Sequence, residues 1–187
     1  MEKAFRQEPS DILKIVLYGP ESTGKTTLAR ALATHYNTEW VPEYARAYLQ
    51  QKWDRTGEVC KPEDLPPIAA GQMQMENTLT RQANRLLICD TDLLVTKVYS
   101  EVYYEGYCDP EIEKFALSNT YDLYLLTSTD VPWVADDLRD KPGEREEMFT
   151  LFKAALEYYN RSFIILKGSH EKRLEEAAYH IDKLLSR

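Results

Sequence analysis

Gly19-Pro20-Glu21-Ser22-Thr23-Gly24-Lys25-Thr26-Thr27 sets two glycines, a lysine and a hydroxyl at the spacing G-x-x-x-x-G-K-T. This spacing is the signature of a phosphate-wrapping loop when a strand precedes it and a helix follows. The glycines let the backbone turn tightly and aim several N–H groups at one centre. Those donors and the helix N-terminus favour an anion there. Lys25 can reach the terminal phosphates, and the Thr26 hydroxyl can ligate Mg²⁺. The expected nucleotide-binding set is Gly19, Glu21, Ser22, Thr23, Gly24, Lys25, Thr26 and Thr27.

Three further groups could complete a two-substrate site. Asp90 closes the apolar run Leu86-Leu87-Ile88-Cys89. A carboxylate there can hold Mg²⁺, or it can cap the following helix. Asp92, two residues on, can cap that helix or touch substrate. Glu43 follows a short strand, and Arg46 lies one helical turn later. Glu43 could accept a proton from a hydroxyl being phosphorylated. Equally, the macrodipole could favour it as a helix-start acid, with Arg46 as its i,i+3 partner. Arg139 and Arg145 fall in a polar stretch that could close over a triphosphate; a solvated loop is the alternative. Trp40, Tyr44, Tyr48, Trp53, Tyr99, Tyr103 and Trp133 could stack on a flat or cationic ring, or pack in the core.

These groups need a frame, and the apolar pattern supplies one. Strands are expected at Ile12–Tyr18, Thr38–Val41, Leu86–Asp90, Leu123–Thr127 and Phe163–Leu166. Helices are expected from Lys25 to about Tyr36, from Pro42 to about Lys52, and along the stripe Ile68, Met75, Leu79, Ala83. On that third helix Gln72, Gln74, Glu76 and Asn77 are expected on or beside the other faces. Further helices follow Asp92, span Pro110 to Leu117, run from about Glu144 to Tyr159, and carry Leu174 to Leu185. Trp53 to Pro67 reads as the longest loop, and a lid is expected at about residues 128–145. Alternating strands and helices predict an α/β P-loop fold: five parallel strands, helices on both faces, and ligands beyond the strands' C-terminal ends.

The 187 residues suit one domain spanning 1–187. A formal charge of −8 argues against a nucleic-acid partner and an anionic membrane surface. No apolar run approaches the roughly 18 residues of a membrane span, and Met1 to Pro9 reads as a polar lead-in. Cys60, Cys89 and Cys108 form no C-x-x-C, so no disulfide framework or zinc site is expected and a reducing cytoplasm fits. Thr127-Ser128-Thr129-Asp130 lacks the lysine of a guanine-reading N/T-K-x-D signature. A mechanical ATPase would want more chain for a lid domain.

The Walker-type loop, then Pro42-Glu43-Tyr44-Ala45-Arg46, then Asp90-Thr91-Asp92, then Val131-Pro132-Trp133-Val134-Ala135-Asp136-Asp137-Leu138-Arg139, occur together in one order. In this the chain resembles the ribosylnicotinamide kinase domain of the NadR-type NAD biosynthesis proteins, over roughly residues 12 to 185. The resemblance implies a nucleoside-kinase-like fold. It also implies ATP- and Mg²⁺-dependent phosphorylation of the 5′-hydroxyl of nicotinamide riboside. It assigns Lys25, Glu43, Asp90 and Arg139 to catalysis. Glu43, Tyr44, Arg46 and Asp92 fall to the substrate, and Thr26 and Asp90 to the metal. Lys167-Gly168-Ser169-His170 would border the adenine. About eleven residues precede the first strand and no H-x-G-H occurs, so transcriptional repression and dinucleotide synthesis are not carried over. A kinase for another nucleoside or nucleotide, or a non-catalytic ATP- or GTP-dependent module, would share the loop. Oligomeric state is not legible.

Overall fold

The computed structural model describes residues 4–136, 138 and 142–186. Strand β1 (Leu13–Tyr18) is the central strand, and its side chains alternate between two apolar faces. Ile15 and Leu17 pack against Leu28 and Leu32 of α1 (Lys25–Tyr36) and Ala177 and Ile181 of α7 (His170–Leu185). Val16 and Tyr18 pack against Leu94, Val95 and Val98 of α4 (Leu93–Tyr103) and Phe152 and Leu156 of α6 (Arg145–Tyr158).

Strands β2 (Trp40–Val41), β3 (Leu86–Asp90), β4 (Leu123–Thr127) and β5 (Phe163–Leu166) complete a parallel sheet in the order β2-β3-β1-β4-β5. The five expected strands are all present, although the second is only two residues long.

The expected long loop at Trp53–Pro67 is mostly helical. Helix α2 (Tyr44–Thr56) carries Trp53 in its last turn and ends on Gly57. A 3₁₀ turn at Pro62–Asp64 then leads into α3 (Leu65–Thr80), with prolines at its start. Pro66 and Pro67 cost little there, because first-turn N–H groups have no intrahelical partner. Pro42 lies before α2, whose N-cap is Glu43.

Three of the four polar residues expected on or beside the other faces of α3 are buried, Gln72, Glu76 and Asn77, while Gln74 is exposed. Glu76 takes Lys14 Nζ at 2.9 Å, the Tyr121 hydroxyl at 2.8 Å and Gln7 Nε2 at 2.8 Å. Asn77 accepts from the Glu8 N–H and donates to the Arg6 carbonyl. Phe5 is buried with Leu65, Ala69, Met73 and, from α5 (Pro110–Ser118), Ile112 and Phe115. The N-terminal lead-in is thus strapped across α3 and α5, a long-range arrangement that no local pattern announces.

Candidate functional site

Leu17 and Asp90 are register partners in β1 and β3. The phosphate loop and Asp90 therefore leave adjacent strands at one edge of the sheet. Gly19 stands at φ +131°, and a Cβ there would meet Thr127 Oγ1 and O at 3.0 Å, so only glycine fits the turn. Within the loop, the Pro20 carbonyl accepts from Thr23 Oγ1 at 2.9 Å and from Lys25 Nζ at 2.7 Å. Lys25 is thus folded over its own loop.

The Thr26 hydroxyl donates to Asp90 Oδ2 at 2.5 Å. Asp90 Oδ1 is buried without a hydrogen-bond partner. Burial, reinforced by the Glu43 charge, pushes Asp90 up to about 6. Thr91 lies beside it at φ +74°, a strained position for a β-branched residue. A hydroxyl beside a carboxylate with one oxygen to spare fits Mg²⁺, which takes one or two carboxylates and completes its shell with phosphate and water. Among the described residues no group of three His, Cys, Asp or Glu could hold a metal unaided.

Two cavities meet here. One, about 140 Å³, is lined by Glu21 to Thr27 of the loop together with Glu43, Arg46, Thr91, Val95 and Tyr99. The other, about 270 Å³, shares Glu21, Glu43, Thr91, Val95 and Tyr99 and extends between α2, α3 and α4. It adds Trp53, Glu58, Gln72, Tyr103 and Tyr104 to its wall. Its described lining contains three acids, four aromatic rings and no lysine or arginine.

The remaining expected residues divide. Arg46 lines the smaller cavity and pairs with Asp136. Tyr44 lines neither cavity: its ring packs on Gly71, where a Cβ would sit 2.2 Å from it, and its N–H donates to Gln72 Oε1 at 2.8 Å. Asp92 also lies outside both linings. It caps α4 by accepting from Val95 N at 3.1 Å and takes the Tyr124 hydroxyl at 2.8 Å, so its geometry follows the capping alternative. Of the seven aromatic candidates, Trp53, Tyr99 and Tyr103 line the acidic cavity. Trp40 lies under the Arg30 guanidinium, Tyr48 donates to Asp64, and Trp133 faces Arg145.

Arg139 lies outside the described residues. The described part of the expected lid touches the loop: Val134 N donates to Ser22 Oγ at 2.8 Å, and Arg145 Nη1 to the Ser22 carbonyl at 3.1 Å.

Sequence reasoning missed Gln72, Glu58, Asp130 and Arg173. Arg173 is 3% exposed and binds carbonyls of Thr23, Ser128 and Gly168. Its partners lie up to 150 residues away, so spacing gave no signal.

A parallel sheet of this order, with a phosphate loop after its central strand and an acid ending the neighbouring strand, is the P-loop kinase fold. The family model described as an AAA domain matches residues 14–173, and the chain belongs to that family. It is 30% identical over 174 residues to the trifunctional NAD biosynthesis/regulator protein NadR of Escherichia coli K12, covering 92% of this chain and 40% of that protein. The chain thus spans about two-fifths of the length of this curated relative. A crystal structure of NadR protein in complex with NR superimposes with a TM-score of 0.71 at 21% identity, over 92% of this chain and 51% of that one. A deoxyadenosine kinase from M. mycoides gives 0.68 at 12% identity, over 91% of this chain and all of that one. The resemblance to NadR-type proteins read from the motifs therefore holds over nearly the stretch on which it was read. No helix among the described residues is long and apolar enough to cross a membrane.

Proposed function

We propose that this chain is an ATP- and Mg²⁺-dependent kinase that phosphorylates the 5′-hydroxyl of nicotinamide riboside. The observation that carries the reading is the 270 Å³ cavity opening onto the phosphate loop. Glu21, Glu43 and Glu58 line it with aromatic rings and no described cation. An acceptor that already carried a phosphate would bring a second negative charge toward Glu21, Glu43 and Glu58, although Glu58 is itself paired with Lys61 and Lys52. A neutral or cationic nucleoside would not, and a pyridinium ring gains from both the acids and the ring faces. Kinship to NadR, which has been crystallised with NR, supports the same substrate class.

In this reading the loop N–H groups and Lys25 hold the β- and γ-phosphates, and Thr26 and Asp90 hold Mg²⁺. The metal, when bound, neutralises charge on the transferring phosphoryl group. Glu43 stands where the two cavities join, and its carboxylate takes the proton of the 5′-hydroxyl. The 5′-oxygen bonds to the γ-phosphorus as the bond to the β-phosphate oxygen breaks, and ADP leaves. Arg46 and Arg145 flank the loop and can meet charge released there.

The test is ADP release by purified protein across nicotinamide riboside, common ribo- and deoxyribonucleosides, and nucleoside monophosphates. Turnover of nicotinamide riboside well above the rest is expected. Turnover of a monophosphate or another nucleoside, with none for nicotinamide riboside, overturns the reading.

A further inference from the structure

The larger cavity is rich in acceptors. Glu21, Glu43 and Glu58 only accept when ionised, and no lysine or arginine stands in the described lining. One amide donor in that wall is unclaimed. Gln72, on α3, is 3% exposed, and its Nε2 is buried without a hydrogen-bond partner. Folded chains keep few such orphans, because an unmade hydrogen bond costs more than a made one returns.

The other end of the amide fixes its orientation. Oε1 accepts the Tyr44 N–H, the first of α2, at 2.8 Å. A flipped amide would set its NH₂ against that N–H, donor to donor, so the NH₂ keeps the opposite side. The terminal amide torsion is broad, so the NH₂ can tip toward a ligand while Oε1 stays on Tyr44. Tyr44, expected to touch substrate, thus acts through Gln72.

Gln72 lines the larger cavity and is absent from the smaller one, which the phosphate loop lines. It therefore stands away from the phosphoryl group, in one wall with Trp53, Tyr103 and Tyr104. The hydroxyls of a ribose are donors that the three acids can take. An acceptor on the ring is what the acids repel and an NH₂ holds.

We infer that Gln72 is a specificity-determining residue: its NH₂ takes a carbonyl acceptor carried on the ring of the nucleoside, which in nicotinamide riboside is the carboxamide oxygen. The inference rests on the proposed nicotinamide riboside kinase activity, and adds to it the group on the ring that is read and the side chain that reads it.

The experiment measures kcat/KM by ADP release for two acceptors, nicotinamide riboside and the riboside of unsubstituted pyridine. Both carry the same ribose and a cationic ring, and they differ only in the carboxamide. The proteins are the wild type, Gln72→Met and Gln72→Glu, assayed at pH 8 to favour ionisation of the introduced carboxyl. The wild type should favour nicotinamide riboside by about tenfold or more, as a site built around a hydrogen bond does. Gln72→Met fills similar space without a donor, and the preference should fall to about threefold or less. Gln72→Glu keeps an oxygen for the Tyr44 N–H but loses the NH₂, so it should lose the preference as well.

A folding defect lowers the active fraction for both ribosides alike, so the ratio is protected from it. Three outcomes overturn the inference while leaving the kinase reading intact. In one, the wild type turns over the two ribosides equally well. In another, the variants lose both in step, as they would if Gln72 only anchored α2 or held a ribose hydroxyl. In the third, Gln72→Glu retains the preference that Gln72→Met loses, which assigns the effect to the Tyr44 anchor. A wild type that phosphorylates neither riboside overturns the inference and the proposed substrate together.

Discussion

On the α7 side of the phosphate loop, Arg173 places its guanidinium on three carbonyls and a carboxylate, and Asp130 has a partner at each oxygen. On the α2–α4 side, Asp90 Oδ1 and Gln72 Nε2 are buried with no partner. Tyr44 N is a donor and holds Gln72 Oε1, so the orphaned end of that amide is its NH₂. A buried polar group left unpaired costs about 1–3 kcal/mol, and folded proteins keep few of them. The same edge of one sheet thus holds a partnered flank, where four of the five Arg173 N–H donors are engaged, and an unsatisfied one. The partnered flank fixes the loops. The unsatisfied one carries a cost that a bound metal, water or substrate can remove. Substitutions on the two flanks should separate stability from activity.

The largest effect is expected where the unsatisfied flank meets the chemistry. Asp90→Asn keeps an acceptor for the Thr26 hydroxyl and removes a charge that burial and Glu43 both oppose. Melting temperature should hold or rise. If the proposed function holds, the kcat for phosphoryl transfer should fall by about 10²–10³, because Asp90 is the carboxylate proposed to hold the metal. A variant with near-normal kcat would remove Asp90 from the metal role; one that melts well below the wild type would show that the carboxylate is structural.

Arg173→Ala should do the reverse. It leaves three carbonyls and Asp130 without their shared donor. Breaking a buried charge network of this kind costs about 3 kcal/mol, discounted here for the partly exposed Asp130. For a chain of this size that is roughly 6–12 °C in melting temperature. Asp130→Asn, on the exposed half of the pair, should cost about 1 kcal/mol or less. Equal losses from the two variants would mean the guanidinium's carbonyl contacts contribute nothing.

The contrast also explains what the sequence made legible. The phosphate loop, the five strands and Asp90 are local: a spacing, a period, an acid ending an apolar run. Each survives reading along the chain because its physical cause lies within a few residues. Trp53 was read as loop because prolines follow it, yet those prolines open α3. Gln72 and Glu76 were placed on or beside the faces away from the apolar stripe, yet the Tyr44 N–H and the Lys14 ammonium reach them across 28 and 62 residues. Arg173 drew no expectation at all, because Thr23 and Ser128, which its guanidinium reaches, lie 150 and 45 residues away. Asp90-Thr91-Asp92 shows the limit most sharply, since its two acids differ only in what lies above them: one faces the phosphate loop, the other the Tyr124 hydroxyl.

Asp92 supplies the smallest and most diagnostic test. It is fully buried beneath the sheet edge, and burial pushes it up to about 6, against the hydrogen bonds from Tyr124 and Val95 that favour its charged form. In the unfolded chain an aspartate titrates near 3.9. The folded state therefore binds the proton more tightly than the unfolded one. The stability this contributes is complete below about pH 4 and is lost as pH rises through about 6. Asp64 and Asp130 are shifted downward and act in the opposite sense, so the wild-type profile alone is mixed. The difference between Asp92→Asn and wild type isolates the group. Asparagine still offers an oxygen to Val95 N, and it carries no charge to desolvate. Its melting temperature relative to wild type should be higher at pH 7.5 than at pH 4.5, by the equivalent of about 1–2 kcal/mol. KM for the nucleoside should stay within about threefold, because both Asp92 oxygens already bond to protein and neither cavity reaches them. A pH-independent difference would mean Asp92 is not the desolvated group it appears from its burial. A large rise in KM would return Asp92 to the substrate and move the boundary between the two flanks one strand-end residue further along the chain.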